Sequence, residues 1–366
     1  MVCTDYKIKL SYKAEEPDWD AFLVDAIGGH HLQTSLWGQL KAFSGWRAAR
    51  IIVTRGEQIV AGAQLLMRPL PLIGNVCYVP KGPLFTSNDP ELRNLFIDKL
   101  QQMVKTHRIV YLIVQPPCND EAFAHQLTKL RFQQSKNRLF ITATLLVDLT
   151  MDLDKILAQM RKKTRQHIRV GQRKGISVRE GTESDLHTFH HLLGTAGKRL
   201  KFSPDPEEYF RTLWRLFNPH GYVKLFLAEY KGEAVSALLT IPFGDTVLCK
   251  RIGWSGDHLK RYPNELLHWA TIKWAKSKGY RSLDFEGVDL KVARTLLSGE
   301  PLPDETMKGA TFFKLGFGGR ITLFPEAYDY IPNPILRLVY TRMFPKIVNS
   351  SLGTKAYRYI RHLLKK

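Results

Sequence analysis

Two stretches of the chain share one hydrophobic rhythm. Residues 51–69 read IIVTRGEQIVAGAQLLMRP and residues 225–242 read LFLAEYKGEAVSALLTIP. Each is an apolar run, a polar turn ending in Gly-Glu (Gly56-Glu57 and Gly232-Glu233), and a second apolar run stopped by proline. That pattern predicts a β-hairpin. About 30–40 residues beyond each turn the period changes to helical, in LFIDKLQQMVKTHR (95–108) and NELLHWATIKWAKSKG (264–279). Both segments carry basic residues near their ends, where a helix dipole favours cations. Each leads into a predicted strand, IVYLIVQ (109–115) and RSLDFEG (281–287). Glu57 and Glu233 are 176 residues apart, and Tyr111 and Leu283 are 172 apart. Two copies of one α/β unit therefore explain the length better than one large domain.

A hairpin, a helix and a crossing strand, in that order, resemble the core of a GNAT-type acyltransferase domain. The expected fold class is mixed α/β (α+β), with two tandem GNAT-like units. The expected boundary lies at 148–152, where the strand ITATLLVDL ends and a helix DLDKILAQMRKKTRQHIRV begins. Acids open that helix and basic residues close it. Beyond Asp329 the tail interleaves apolar and basic residues. Ile335, Leu336, Val339 and Met343 share one helical face, Pro345 is expected to break it, and a second amphipathic piece spans 354–366. Such helices lie on anionic membrane surfaces or close over a domain.

Composition narrows the class. Hydrophobic residues make up 44% and charged residues 24% of 366, a globular mixture able to bury two cores. No run approaches the roughly 18 apolar residues of a membrane span, and the polar start predicts no signal peptide. Cys3, Cys77, Cys118 and Cys249 are scattered, which points to reduced thiols rather than zinc or a disulfide framework. His30-His31 and His190-His191 lack metal-ligand spacing, so no metal is expected. The net charge is +20, and it is uneven. Residues 1–148 carry 17 basic against 13 acidic side chains, and residues 151–366 carry 37 against 21. Seven basic residues and no acid lie between Arg161 and Lys174, and eight basic residues and no acid follow Asp329. Fields of this sign attract phosphates, in RNA or at a membrane surface.

Five segments then occur in a telling order: LQTSLWGQLKAFSGW (32–46), YVPKGPL (78–84), MRKKTRQHIRVGQRKGISVREG (160–181), RYPNELLHWATIKWAKSKGYRSLDFEGV (261–288) and ATFFKLGFGGRITLFPEAYDYIPNP (310–334). Together they resemble the FemABX family of aminoacyl-tRNA-dependent transferases, which add amino acids to the peptidoglycan stem peptide. The resemblance implies a first GNAT-like domain of residues 1–150 completed by 318–366, and a second of residues 151–317. No heptad run long enough for the coiled-coil arm of some members is present.

The resemblance also assigns candidate residues. Lys314, with Phe313, precedes Gly316-Phe317-Gly318-Gly319 and is placed near the aminoacyl ester. An amine attacking that ester builds negative charge on oxygen, which a fixed ammonium stabilises. Lys41 at the end of the first segment is expected to bind the pyrophosphate of a nucleotide- or lipid-linked sugar, with Trp37 beside it or in the core. Tyr209, Arg251 and Asn264 complete the expected substrate contacts. The arginine that the family places four residues before this tyrosine is Asp205 here, and Arg251-Ile252-Gly253-Trp254-Ser255 replaces a Tyr-Gly-Ala-Ser stretch. Lys162, Arg165, Arg169 and Arg173 form a stripe suited to tRNA phosphates. Asp284 and Glu286, two apart on the predicted strand, would share one face and offer a carboxylate for proton transfer.

The expected activity is thus transfer of an amino acid from aminoacyl-tRNA to a lipid- or UDP-linked peptidoglycan precursor. The expected protein is a cytoplasmic monomer without a cofactor, peripheral at the inner membrane face. Two other readings share the sequence: a GNAT-type transferase using acyl-CoA, whose usual Gly-rich pyrophosphate turn is not found here, and a non-catalytic basic protein that binds RNA or membrane.

Overall fold

The computed structural model describes residues 5–117, 121–135 and 140–348. Cys3, Cys118 and the amphipathic piece expected at 354–366 lie outside the described residues.

The first stretch of chain forms strands β1 (Tyr6–Ser11), β2 (Arg47–Arg55), β3 (Gln58–Leu70), β4 (Gly74–Val79), β5 (Leu84–Phe85), β6 (Ile109–Val114) and β7 (Gln133–Gln134). Its helices are α1 (Pro17–Asp25), α2 (Ser35–Ala42), α3 (Pro90–Thr106) and α4 (Glu121–Lys129). The middle stretch gives strands β8 (Ala143–Asp148), β9 (Ile176–Glu180), β10 (Lys224–Tyr230), β11 (Glu233–Phe243), β12 (Thr246–Trp254), β13 (Ser282–Asp284) and β14 (Arg320–Leu323). Between them lie α5 (Leu153–Gln159), α6 (Lys162–Arg173), α7 (Leu186–Leu200), α8 (Glu207–Phe217), α9 (Pro263–Ser277), α10 (Leu290–Leu297) and α11 (Gly309–Leu315). The chain closes with β15 (Tyr328–Tyr330) and α12 (Pro334–Val348).

These elements divide into two units, one running to Phe140 and resuming at Phe324, the other spanning Ile141–Leu323. The first sheet has the order β1-β2-β3-β4-β6-β15-β7, with β5 on β3. Phe96, Leu100 and Met103 of α3 are buried with its inward-facing Ala63, Leu65 and Leu112. The second sheet has the order β14-β8-β13-β12-β11-β10-β9. Ile168 of α6 and Leu267 and Ile272 of α9 are buried with Phe226, Leu238 and Val247. In both, the predicted hairpin leads through a helix to a strand pairing parallel with the strand before it, β4 with β6 and β12 with β13.

The division differs from the expected cuts at 150/151 and 317/318. Strand β8 hydrogen-bonds along β13 on one edge and β14 on the other, so residues 143–148 and 320–323 belong to the second sheet. Sequence could not reveal this, because an apolar strand carries no mark of the sheet that takes it. The helix expected across 152–170 is also broken. Met160 and Arg161 are extended, with ψ 151° and 143°. Tertiary contacts override the helical pattern there: Met160 is buried, and the Arg161 amide donates to the Gly316 carbonyl at 2.9 Å. Conversely, α12 continues over Pro345, where a break was expected.

Candidate functional site

The second unit gathers charged side chains around a backbone opening. Strands β12 and β13 pair in parallel over only three positions, Thr246 with Ser282 through Leu248 with Asp284. Opposite β11, Leu239 faces Arg251 and Thr240 faces Cys249, so Lys250 is the extra residue of a β-bulge. A bulge bends its strand and re-aims its side chains. After Asp284 the other strand turns away, through left-handed backbone at Glu286 (φ 43°) and Gly287 (φ 74°). Left-handed φ at a non-glycine residue needs support. Asp284 supplies it: its Oδ1 accepts the Glu286 amide at 2.7 Å and the Thr144 hydroxyl of β8. Asp284 and Glu286 therefore do not share a strand face, because the strand ends at Asp284. The Asp284 carboxylate acts as a turn lock.

The two carbonyls turned out by this bend receive Lys314. From α11 its Nζ donates to the Glu286 carbonyl and, at 2.6 Å, to the Gly287 carbonyl. A lysine ammonium has three N–H groups, so one remains for another acceptor. Burial pulls the Lys314 pKa below its ordinary value, while the nearby Glu286 and Asp284 charges oppose that shift. The Glu286 carboxylate accepts from Lys250 Nζ at 2.6 Å, with the Arg251 guanidinium at 3.6 Å. Phe313, Phe317 and Phe285 surround the His268 ring at centroid distances of 5.2–5.3 Å. Burial, with a smaller push from the Lys314 charge, brings the His268 pKa down to about 4 against an opposing hydrogen bond to the Asn264 carbonyl. His268 is thus a neutral aromatic wall behind the lysine.

The remaining candidates in this unit separate. Tyr209 joins the group: burial raises its phenol pKa, the Asp205 and Glu286 charges add to the rise, and Arg251 opposes it. Asn264 instead opens α9, accepting the Ser236 hydroxyl at 2.6 Å. On α6, Lys162, Arg169 and Arg173 are exposed at i, i+7 and i+11, one helical face. Arg165 departs from them. Its Nη1 donates to the carbonyls of Ala158, at 3.0 Å, and Met160, so it caps α5 rather than facing solvent. Among the described residues no salt bridge engages these four cations. A cleft of ≈ 830 Å³ elsewhere in the unit is lined by Asp148, Asp245, Arg281, Ser282 and Arg320 and lies at the opposite end of β13 from Lys314.

In the first unit, Lys41 is 9% exposed at the end of α2, and its Nζ lies 5.9 Å from the centroid of the buried Trp37 ring. Gln33 of the same motif accepts the Gln64 amide at 2.6 Å and donates to the Pro80 carbonyl of the YVPKGP turn. Two motif segments far apart in sequence thus hold each other.

Sequence reasoning missed Lys250, His268 and Thr144. Lys250 carries no local signal, since its role depends on a bulge. His268 had one: a histidine among apolar residues in LLHWATI reads as buried.

Comparisons with known proteins agree with this architecture. A FemAB family model matches residues 14–145, and a GNAT acetyltransferase domain model matches residues 158–291. The lipid II:glycine glycyltransferase of Staphylococcus aureus strain MRSA252 is 24% identical over 221 residues, 57% of this chain. The match covers 52% of the relative, so the chain spans about half the length of the curated relatives it matches. The crystal structure of FemX gives a TM-score of 0.77 at 19% identity, covering 92% of this chain and 99% of that chain. A tandem GNAT protein from the clavulanic acid biosynthesis pathway gives 0.52 at 11% identity, covering 90% and 99%. L-PGS from Bacillus licheniformis gives 0.53 at 14% identity, covering 92% and 98%. The fold is a tandem pair of GNAT-like units.

Proposed function

We propose that the chain is a member of the FemABX family and an aminoacyltransferase of peptidoglycan precursors, a reading supported by the FemAB model match, the glycyltransferase relatives and the FemX fold. It takes the amino acid from aminoacyl-tRNA and joins it to the stem peptide of a lipid- or UDP-linked precursor. The observation that carries this reading is Lys314, held by two backbone carbonyls beside an opened strand pair with one N–H unspent. The acceptor amine attacks the ester carbonyl, a C–N bond forms, and the C–O bond to the ribose breaks. The amine proton leaves with the ribose oxygen. Between these events the carbonyl oxygen carries negative charge, and the ammonium of Lys314 stabilises it. Because two carbonyls fix that ammonium beforehand, little reorganisation accompanies the reaction.

Lys162, Arg169 and Arg173 give the tRNA backbone a row of cations, and Lys41 supplies a compact charge for the precursor pyrophosphate. The GNAT acetyltransferase match at 158–291 favours a second reading with the same unit working on acyl-CoA. Incubation with total charged tRNA and either precursor, followed by mass spectrometry, tests the two. The first reading predicts a product heavier by one amino-acid residue, abolished by ribonuclease. A product formed only with acyl-CoA would replace it with the second.

A further inference from the structure

The hairpin joining β3 to β4 ends in Pro71-Leu72-Ile73, where Leu72 is fully exposed and Ile73 is 61% exposed. Leu72 also has φ 65°, a conformation in which glycine or asparagine is the unstrained choice. Among the described residues both side chains stand largely in solvent, so the tip costs both backbone strain and apolar exposure. The sheet register shows what stands beside it. Leu70 pairs with Gly74, Asn75 with Ile109, and Leu112 with Tyr330. Continuing the last pairing brings the chain level with Ile109 at Asn333, where α12 begins. The apolar tip and the start of α12 therefore lie at the same end of the first sheet. There Ile335, Leu336 and Leu338 are exposed as well.

The charge at this end is predominantly positive. No acidic residue occurs between Glu57 and Asp89, between Asp98 and Asp120, or after Asp329. These three segments meet there and bring Arg68, Lys105, Arg108, Arg337 and Arg342; the turn after β1 reaches the same end through Tyr12, 2.8 Å from His107, and adds Lys13 and Glu15, which cancel each other. A second copy of the chain would present the same positive charge and be repelled. An anionic bilayer offers apolar depth for the tip and negative charge for its surround.

We propose that this end of the first unit docks on an anionic membrane, with Leu72 and Ile73 entering the headgroup boundary and the first turns of α12 lying along it. The proposal deepens the transferase reading, on which it rests only for its consequence: the acceptor is met in lipid-linked form. Docking itself is read without any precursor or tRNA, so its failure is distinct from failure of that reading.

The full-length protein is sedimented with phosphatidylcholine vesicles, with and without about one-third phosphatidylglycerol. The parent binds the anionic vesicles. Leu72→Asn/Ile73→Ser weakens binding at least tenfold with unchanged melting, since both side chains are exposed. Arg108→Gln/Arg342→Gln weakens it and flattens its salt dependence. A parent that stays in solution, or a tip variant that binds as the parent does, overturns the proposal. So does gel filtration in which the tip variant converts a dimer to a monomer, which would give the apolar tip to a second copy.

Discussion

The two units repeat one strand–helix–strand plan and differ at its centre. In the first, β4 and β6 stay paired over five positions to Val79 and Val114, and the Gln115 amide still donates to the Val79 carbonyl at 2.9 Å. In the second, β12 and β13 part after three positions, a bulge turns Lys250 inward, and Lys314 enters beside the gap. A closed strand pair satisfies its backbone groups with its own neighbours. An opened one leaves carbonyls that must find donors, and here they hold a cation in place. The same fold thus gives a scaffold once and a charged site once, and the difference is a few residues of lost pairing.

The units also carry buried titrating groups of opposite sense, which gives the strongest test of the contrast. His268 in the second unit is held down to about 4 from its ordinary 6.5. The unfolded chain takes up that proton first, so stability is full above pH 6.5 and falls as the pH drops toward 4. The loss is on the order of 3 kcal/mol. Hydrogen exchange of second-unit amides across that range should show it, and His268→Asn should remove the slope. An unchanged slope would deny the histidine its buried neutral state.

A smaller effect is expected from Glu286→Ala. Its carboxylate and the Lys250 ammonium have side chains only 13% exposed, and removing the carboxylate takes a close counter-charge from both Lys250 and Arg251. Denaturant unfolding should register a loss of about 2 kcal/mol confined to the second unit, with Glu286→Gln losing less. Equal loss in both units would contradict the assignment.

In the first unit the sign reverses. Asp329 is buried beneath α12, where the Tyr340 hydroxyl donates to it at 2.7 Å. Burial raises its pKa above 3.8 against hydrogen bonds from Tyr340, Ser135 and Tyr111. The folded unit takes up this proton before the unfolded chain does. Its stabilising contribution is therefore complete below pH 3.8 and lost as the pH rises through the raised value. Asp329→Asn should remove this pH dependence from first-unit stability. Urea melts in a pH series check it; a parent and variant that run parallel would refute it. Weaker still is the change at α6. Lys162→Gln/Arg169→Gln/Arg173→Gln should reduce the salt slope of tRNA binding by about 2, with no change in melting. An unaltered slope takes tRNA off this face.

Much of this contrast was legible in the sequence. The hairpin–helix–strand repeat follows from local periodicity and turn chemistry, which act within a few residues, so both units could be read directly. The Phe313-Lys314 motif likewise marked the lysine. What stayed hidden depends on long-range geometry. Strand β8 gives no sign of joining the second sheet, since either sheet suits its apolar face. Arg165 looks like its neighbours on α6, and only the break at Met160-Arg161 turns it onto the carbonyls of α5. The Asp284–Glu286 pair reads as one strand face until the left-handed turn at Glu286 separates the two.

On the proposed function, chemistry belongs to the opened unit and acceptor binding to the closed one. Single-turnover transfer from preformed aminoacyl-tRNA, at saturating precursor, tests it by comparing Lys314→Met with Lys41→Met. Lys314→Met should slow transfer by about 10²–10³ while precursor and tRNA still bind, as for loss of one oxyanion donor. Lys41→Met should transfer near the parental rate once the precursor is raised to compensate for weaker binding. If Lys314→Met melts normally and transfers within about threefold of the parent, the opened strand pair is not where the reaction occurs.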